Sequence, residues 1–153
     1  MNKNEQVIRD FNDLIRINND RVAGYEKAIG HLDKNDADIK EVFMKMANQS
    51  REFSGELAEE VRKNGGEAAS GNTASGKIYH VWMDIKAGLS GNDRQTMLNS
   101  CEFGEDAILN AYATILEMHT GLPKENIELI SRHRNELRKS HDLIKKYRDN
   151  NIS

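Results

Sequence analysis

Apolar residues recur every three or four positions along most of the chain, the spacing that gathers them on one face of a helix. Val7, Phe11, Leu14, Ile15, Val22, Tyr25, Ile29 and Leu32 make the first such stripe and predict a long helix over about 5–32. Asn35 and Asp36 offer N-cap chemistry for a second helix over about 36–63, with Ile39, Val42, Phe43, Met46, Phe53, Leu57 and Val61 on its stripe and Asn64-Gly65-Gly66 at its end. So short a connection makes the two antiparallel neighbours. Residues 67–76 are small and polar with no period, an exposed loop. Ile78, Val81, Trp82, Ile85 and Leu89 then predict a short helix over about 77–88, inside a crossover spanning 64–92.

Met97, Cys101, Ile108, Ala111, Tyr112 and Ile115 mark a third long helix over about 93–119, stopped by Gly121. Pro123 is placed to begin a fourth, over about 123–149, whose stripe holds Ile127, Ile130, Leu137, Ile144 and Tyr147. The expected fold is all-α, one domain over 1–153: an antiparallel four-helix bundle whose two hairpins are joined by a long crossover containing a short extra helix.

Composition agrees with long solvated helices. A single proline, 31% charged and 37% hydrophobic residues disfavour a sheet protein rich in turns. The 22 basic and 25 acidic residues are interspersed, leaving a net charge of −3 and no basic stripe for phosphate, so nucleic acid is not an expected partner. Cys101 is the lone cysteine, which removes an internal disulfide framework and any multi-cysteine metal site and fits a reducing cytoplasm. The N-terminal stretch lacks the apolar core of a signal peptide, and nothing approaches the ~18 apolar residues of a membrane span.

All four long stripes become polar near their midpoints. The first passes through Asn18, the second through Ser50, the third through Gly104 and Glu105, and the fourth through His133 and Arg134. Antiparallel pairing puts helix midpoints at similar heights, so Asn18, Ser50, Glu105 and Arg134 are expected in one layer across the bundle. A buried carboxylate needs a partner, and Arg134 can supply a two-pronged one. Two other readings stay open. Glu105 and Arg134 can lie at the core's edge with their heads in water, or the layer can be a polar network that sets helix register without chemistry.

Two hairpins, a long crossover and polar residues halfway along the core resemble the ferritin-like superfamily over nearly the whole chain. More closely, Leu14-Ile15-Arg16-Ile17-Asn18-Asn19-Asp20-Arg21, Gly24-Tyr25-Glu26-Lys27-Ala28, Trp82-Met83-Asp84-Ile85-Lys86, Cys101-Glu102-Phe103-Gly104-Glu105-Asp106 and His141-Asp142-Leu143-Ile144-Lys145 resemble an uncharacterised bacterial family of ferritin-like bundles, usually described as a domain of unknown function. The resemblance implies a fold and brings no established activity.

Ferritin-like di-iron enzymes take one carboxylate from each of two helices and a Glu-x-x-His pair from each of the other two. Here the residues three before His31, His80, His119, His133 and His141 are Ala28, Lys77, Leu116, Ile130 and Arg138, so the chain has no Glu-x-x-His. Arg134 would put a fixed positive charge where a metal's charge belonged. The remaining ligand candidates are Glu26, Glu52, Glu102, Glu105, His133 and His141, with iron or another divalent metal as the alternative to no cofactor. Tyr25 and Tyr112 read as core tyrosines, Cys101 as a buried thiol and Trp82 as a packing residue.

The leading expectation is a non-catalytic ferritin-like bundle acting through protein surfaces, including as a homo-oligomer, in a bacterial stress or housekeeping setting by analogy. The rival is an atypical metal-binding protein or metal-dependent oxidoreductase centred on Glu102, Glu105 and His133. A helix-groove binding module is disfavoured by the charged exterior of the second helix.

Overall fold

The computed structural model describes residues 2–73, 94–118 and 121–150. Four long helices account for most of them: α1 (Lys3–Gly30), α2 (Ala37–Lys63), α3 (Arg94–Met118) and α4 (Lys124–Asp149). The crossover helix expected over 77–88, with Trp82, lies outside the described residues.

Local chemistry sets the ends. The Asn2 side chain accepts the Glu5 N–H at 2.8 Å, so α1 starts before its first apolar residue. Lys34–Asp36 form a single 3-10 turn closed by a reciprocal Asp33–Asp36 capping box, which the apolar pattern could not reveal. At the end of α2, Gly66 N–H bonds the Val61 carbonyl and Gly65 N–H the Arg62 carbonyl, both at 3.0 Å. This is a Schellman turn, and it needs the left-handed φ of 86° at Gly65.

Side chains from α1 pack on α2 and those from α3 on α4, giving the two hairpins, which meet through α1 against α3 and, more loosely, α2 against α4. Each of these neighbours is antiparallel. Going down α1 from Arg21 to Asn18, the partners on α3 go up from Glu105 to Tyr112. Likewise Gln49 meets Ser140 while Glu56 meets His133. The start of the crossover is tied to α1: Asn12 bonds Glu67 and Ala69, Asn19 donates to the Gly71 carbonyl, and the Asp20 carboxylate holds Thr73.

The core positions follow alternating steps of three and four. On α1 they are Val7, Phe11, Leu14, Asn18, Arg21, Tyr25 and Ala28; on α4, Asn126, Ile130, His133, Leu137, Ser140 and Ile144. A 3.5-residue period keeps one seam facing its neighbours along the whole helix. The apolar members separate into two clusters. One holds Phe11, Leu14, Phe53, Leu57, Ile108, Tyr112, Ile130 and Leu137, the other Tyr25, Phe43, Met46, Met97, Cys101 and Ile144. Between them the seam positions are polar.

Candidate functional site

The seam of α1 carries Arg21 seven residues after Leu14, and the antiparallel pairing brings it to the middle of the bundle facing Glu105 of α3. Both side chains are fully buried. Arg21 donates to Glu105 Oε1 through Nε at 3.2 Å and Nη2 at 2.7 Å, and the Tyr25 hydroxyl donates to the same oxygen. Nη1 reaches Gln49 Oε1 and Ser50 Oγ, both at 2.9 Å, and the Met46 carbonyl at 3.3 Å. Ser140 of α4 closes the ring by donating to Gln49 Oε1 at 2.9 Å. Every helix therefore contributes to one polar layer.

Burial alone would weaken the Arg21 charge. The Glu105 carboxylate and its hydrogen bonds outweigh that and hold the guanidinium pKa above its ordinary value. The Tyr25 hydroxyl is pushed well above its ordinary pKa, first by burial and then by the Glu105 charge, so it remains a donor. Burial likewise raises the Cys101 thiol, beside the same carboxylate. Glu105 Oε2 is buried with no hydrogen-bond partner among the described residues.

A second tier lies one turn away. Asn18 donates to the Leu14 carbonyl at 2.9 Å and to the Tyr112 hydroxyl at 3.0 Å, and that hydroxyl lies 2.9 Å from His133 Nδ1. Because Tyr112 accepts from Asn18, its own proton goes to Nδ1, which makes His133 Nε2 the protonated nitrogen, 3.0 Å from Glu56 Oε1. The imidazole stacks on Phe53 with centroids 3.8 Å apart. Burial lowers the His133 pKa to about 4 against the pull of Glu56, so the ring is neutral at pH 7. Arg132 pairs with Glu56 at the surface.

The expected layer of Asn18, Ser50, Glu105 and Arg134 thus needs one correction. Asn18, Ser50 and Glu105 are fully buried at midheight, but Arg134 is half-buried on the α3–α4 side, beside Asp106, Arg138 and His141. The α4 seam runs through His133 and Ser140, so Arg134 is one position out of phase. The role expected of Arg134 belongs to Arg21, which falls seven residues from both Leu14 and Ala28.

The six ligand candidates separate as well. Glu26 pairs with Arg51 on the exterior, and Glu52 is exposed. Glu105 and His133 are committed to the two buried networks. Glu102 pairs with Arg148 and, with Asp106, approaches His141 at the surface between α3 and α4. The set Glu102, Glu105 and His133 is not a cluster, since each faces a different network. A di-iron centre does not fit the middle of this bundle: among the described residues the layer offers one carboxylate, Glu105, and a guanidinium occupies the ground between it and α2.

The family described as a domain of unknown function, DUF2383, matches residues 6–118. Among solved structures, a Dps1 mutant from Mycobacterium smegmatis superposes with a TM-score of 0.81 at 15% identity, over 95% of this chain and 97% of that one. That similarity makes the fold ferritin-like and says nothing further about activity. No curated protein matches significantly. Among the described residues, no helix is long and apolar enough to cross a membrane.

Proposed function

The chain belongs to the DUF2383 family, and from that membership and its ferritin-like bundle we propose that it serves as a scaffold without a di-iron centre, acting through its protein surfaces rather than by chemistry in its core. The observation that carries this reading is the fully buried Arg21–Glu105 pair at midheight. An arginine cannot give up its charge at any physiological pH, so it stands against a dication at the same place. An enzymatic role draws no support from Cys101, Tyr25 or Tyr112, whose protons burial holds in place.

Exposed apolar side chains support a surface role: Phe103 and Met118 on α3 are 71% and 73% exposed, and Met44 on α2 is 49% exposed. The partners in this reading are protein chains, copies of this one included. The interspersed charge disfavours nucleic acid, and the lone buried Cys101 suits a reducing cytoplasm.

Anaerobic loading with ferrous iron followed by oxygen tests the central claim. The expectation is no oxo-bridged absorption; two irons per chain in such a centre would overturn the reading. Light scattering tests the partner claim, with a mass above that of one chain, lowered by Phe103→Glu, as the expected result. A strict monomer with unchanged behaviour in the variant would remove self-association from it.

A further inference from the structure

On the exterior of the α3–α4 hairpin, Glu102 and Asp106 stand one helical turn apart on α3, and His141 approaches both from α4. One ligand atom from each lies within 4.8 Å of the others. His141 Nε2 is 2.8 Å from Asp106 Oδ1 and 3.6 Å from Glu102 Oε1. Two ligands bound to a single ion at about 2.1 Å are themselves about 3 Å apart, so these separations bracket what a shared ion demands. Glu102 and His141 are mostly withdrawn from solvent, at 13% and 16% side-chain exposure, while Asp106 is open at 55%.

The surroundings orient the ligands. His141 Nδ1 lies 3.2 Å from Asp142 Oδ1. With no ion present Nε2 donates to Asp106 at 2.8 Å; an ion that displaces this proton finds the Asp142 carboxylate placed to hold the remaining one on Nδ1, an arrangement that raises the basicity of a ligating imidazole. Arg148 holds Glu102 Oε2, which directs Oε1 inward. Its Nε and Nη2 are shared with Asp149 Oδ1 at 3.0 and 2.8 Å, so its charge is not aimed at the site alone.

We propose that Glu102, Asp106 and His141 bind one divalent first-row transition ion, of the zinc, manganese or ferrous type, across the α3–α4 hairpin. One imidazole and two carboxylates suit that class, since the nitrogen disfavours calcium and magnesium and the absence of thiolate disfavours cuprous ion. Three protein ligands leave coordination positions for water, so the ion exchanges and adds a cross-link between the helices. The site is separate from the bundle centre and goes beyond the scaffold reading.

Cobaltous ion, added to chelator-treated full-length protein, is the probe, because its visible d–d bands report coordination directly. The expected result is one ion per chain, with affinity reduced at least tenfold by His141→Ala and by Asp106→Asn and unchanged by His31→Ala. Circular dichroism of the variants checks that these surface changes leave the helices intact. Zinc should also raise the melting temperature of the parent protein and not that of His141→Ala. Absence of d–d bands at near-millimolar cobalt, or binding indifferent to both variants, would overturn the proposal.

Discussion

Replacing Arg21 by methionine keeps most of the side-chain volume and removes the guanidinium. Glu105 then stays buried with Tyr25 as its remaining donor, Gln49 keeps only the Ser140 hydroxyl, and Ser50 and the Met46 carbonyl lose the bond from the guanidinium. Removing one member of a buried pair costs about 3–5 kcal/mol, because the charge left behind is uncompensated. In a domain of this size that is roughly 6–20 °C in melting temperature, at about 2–4 °C per kcal/mol. Glu105→Met should cost a similar amount by stranding the guanidinium.

Replacing both residues with methionine should cost less than either single change, since no orphan charge remains. It should still cost about 1–3 kcal/mol, because the Tyr25 hydroxyl loses its acceptor. Urea denaturation of the four proteins closes the cycle, with the m-value checking that all unfold to similar states. If either single variant lost under about 1 kcal/mol, or the double variant equalled the sum of the singles, the buried pair would not be the centre of the bundle.

Two further outcomes follow from the geometry. His133 titrates at about 4 in the fold against 6.5 when free, so the unfolded chain takes up its proton first as pH falls. Its contribution is complete above about pH 6.5 and is lost down to about pH 4, amounting to roughly 3 kcal/mol. His133→Gln should flatten that part of the urea-midpoint profile, and an unchanged slope would refute the assignment. At Gly66 an added Cβ would meet three side-chain carbons of Ile8 at 2.6–2.8 Å, whereas at Gly55 it would meet open space. Gly66→Ala should therefore cost about 1–3 kcal/mol, while Gly55→Ala, mid-helix and exposed, should gain about 0.5–1 kcal/mol; thermal melts of the two decide it.

The long helices were legible because a 3.5-residue seam repeats down each of them, and the polar break at midheight was legible because Asn18, Ser50 and Glu105 interrupt otherwise apolar stripes. Arg21 is hidden because a charge beside Asp20, between Asn18 and Tyr25, looks like an edge residue when apolar positions alone are followed. Counting sevens from Leu14 places it in the seam, and the same count from Asn126 selects His133 and Ser140 over Arg134. Which charges meet is a different matter. Arg21 and Glu105 are 84 residues apart, and their contact depends on the relative height of α1 and α3, which no single-helix pattern encodes. The approach of His141 to Asp106 depends on register in the same way.

The two apolar clusters on either side of the polar layer bear on how the bundle finds its alignment. Sliding one helix by seven residues, about 10.5 Å, returns an apolar seam to an apolar seam and changes little in greasy contact. For α1 the same slide would drive Arg21 among leucines and phenylalanines and strand Glu105 without its cation. Only one height of α1 against α3 lets both charges meet, so the layer works as a notch that makes otherwise interchangeable alignments unequal.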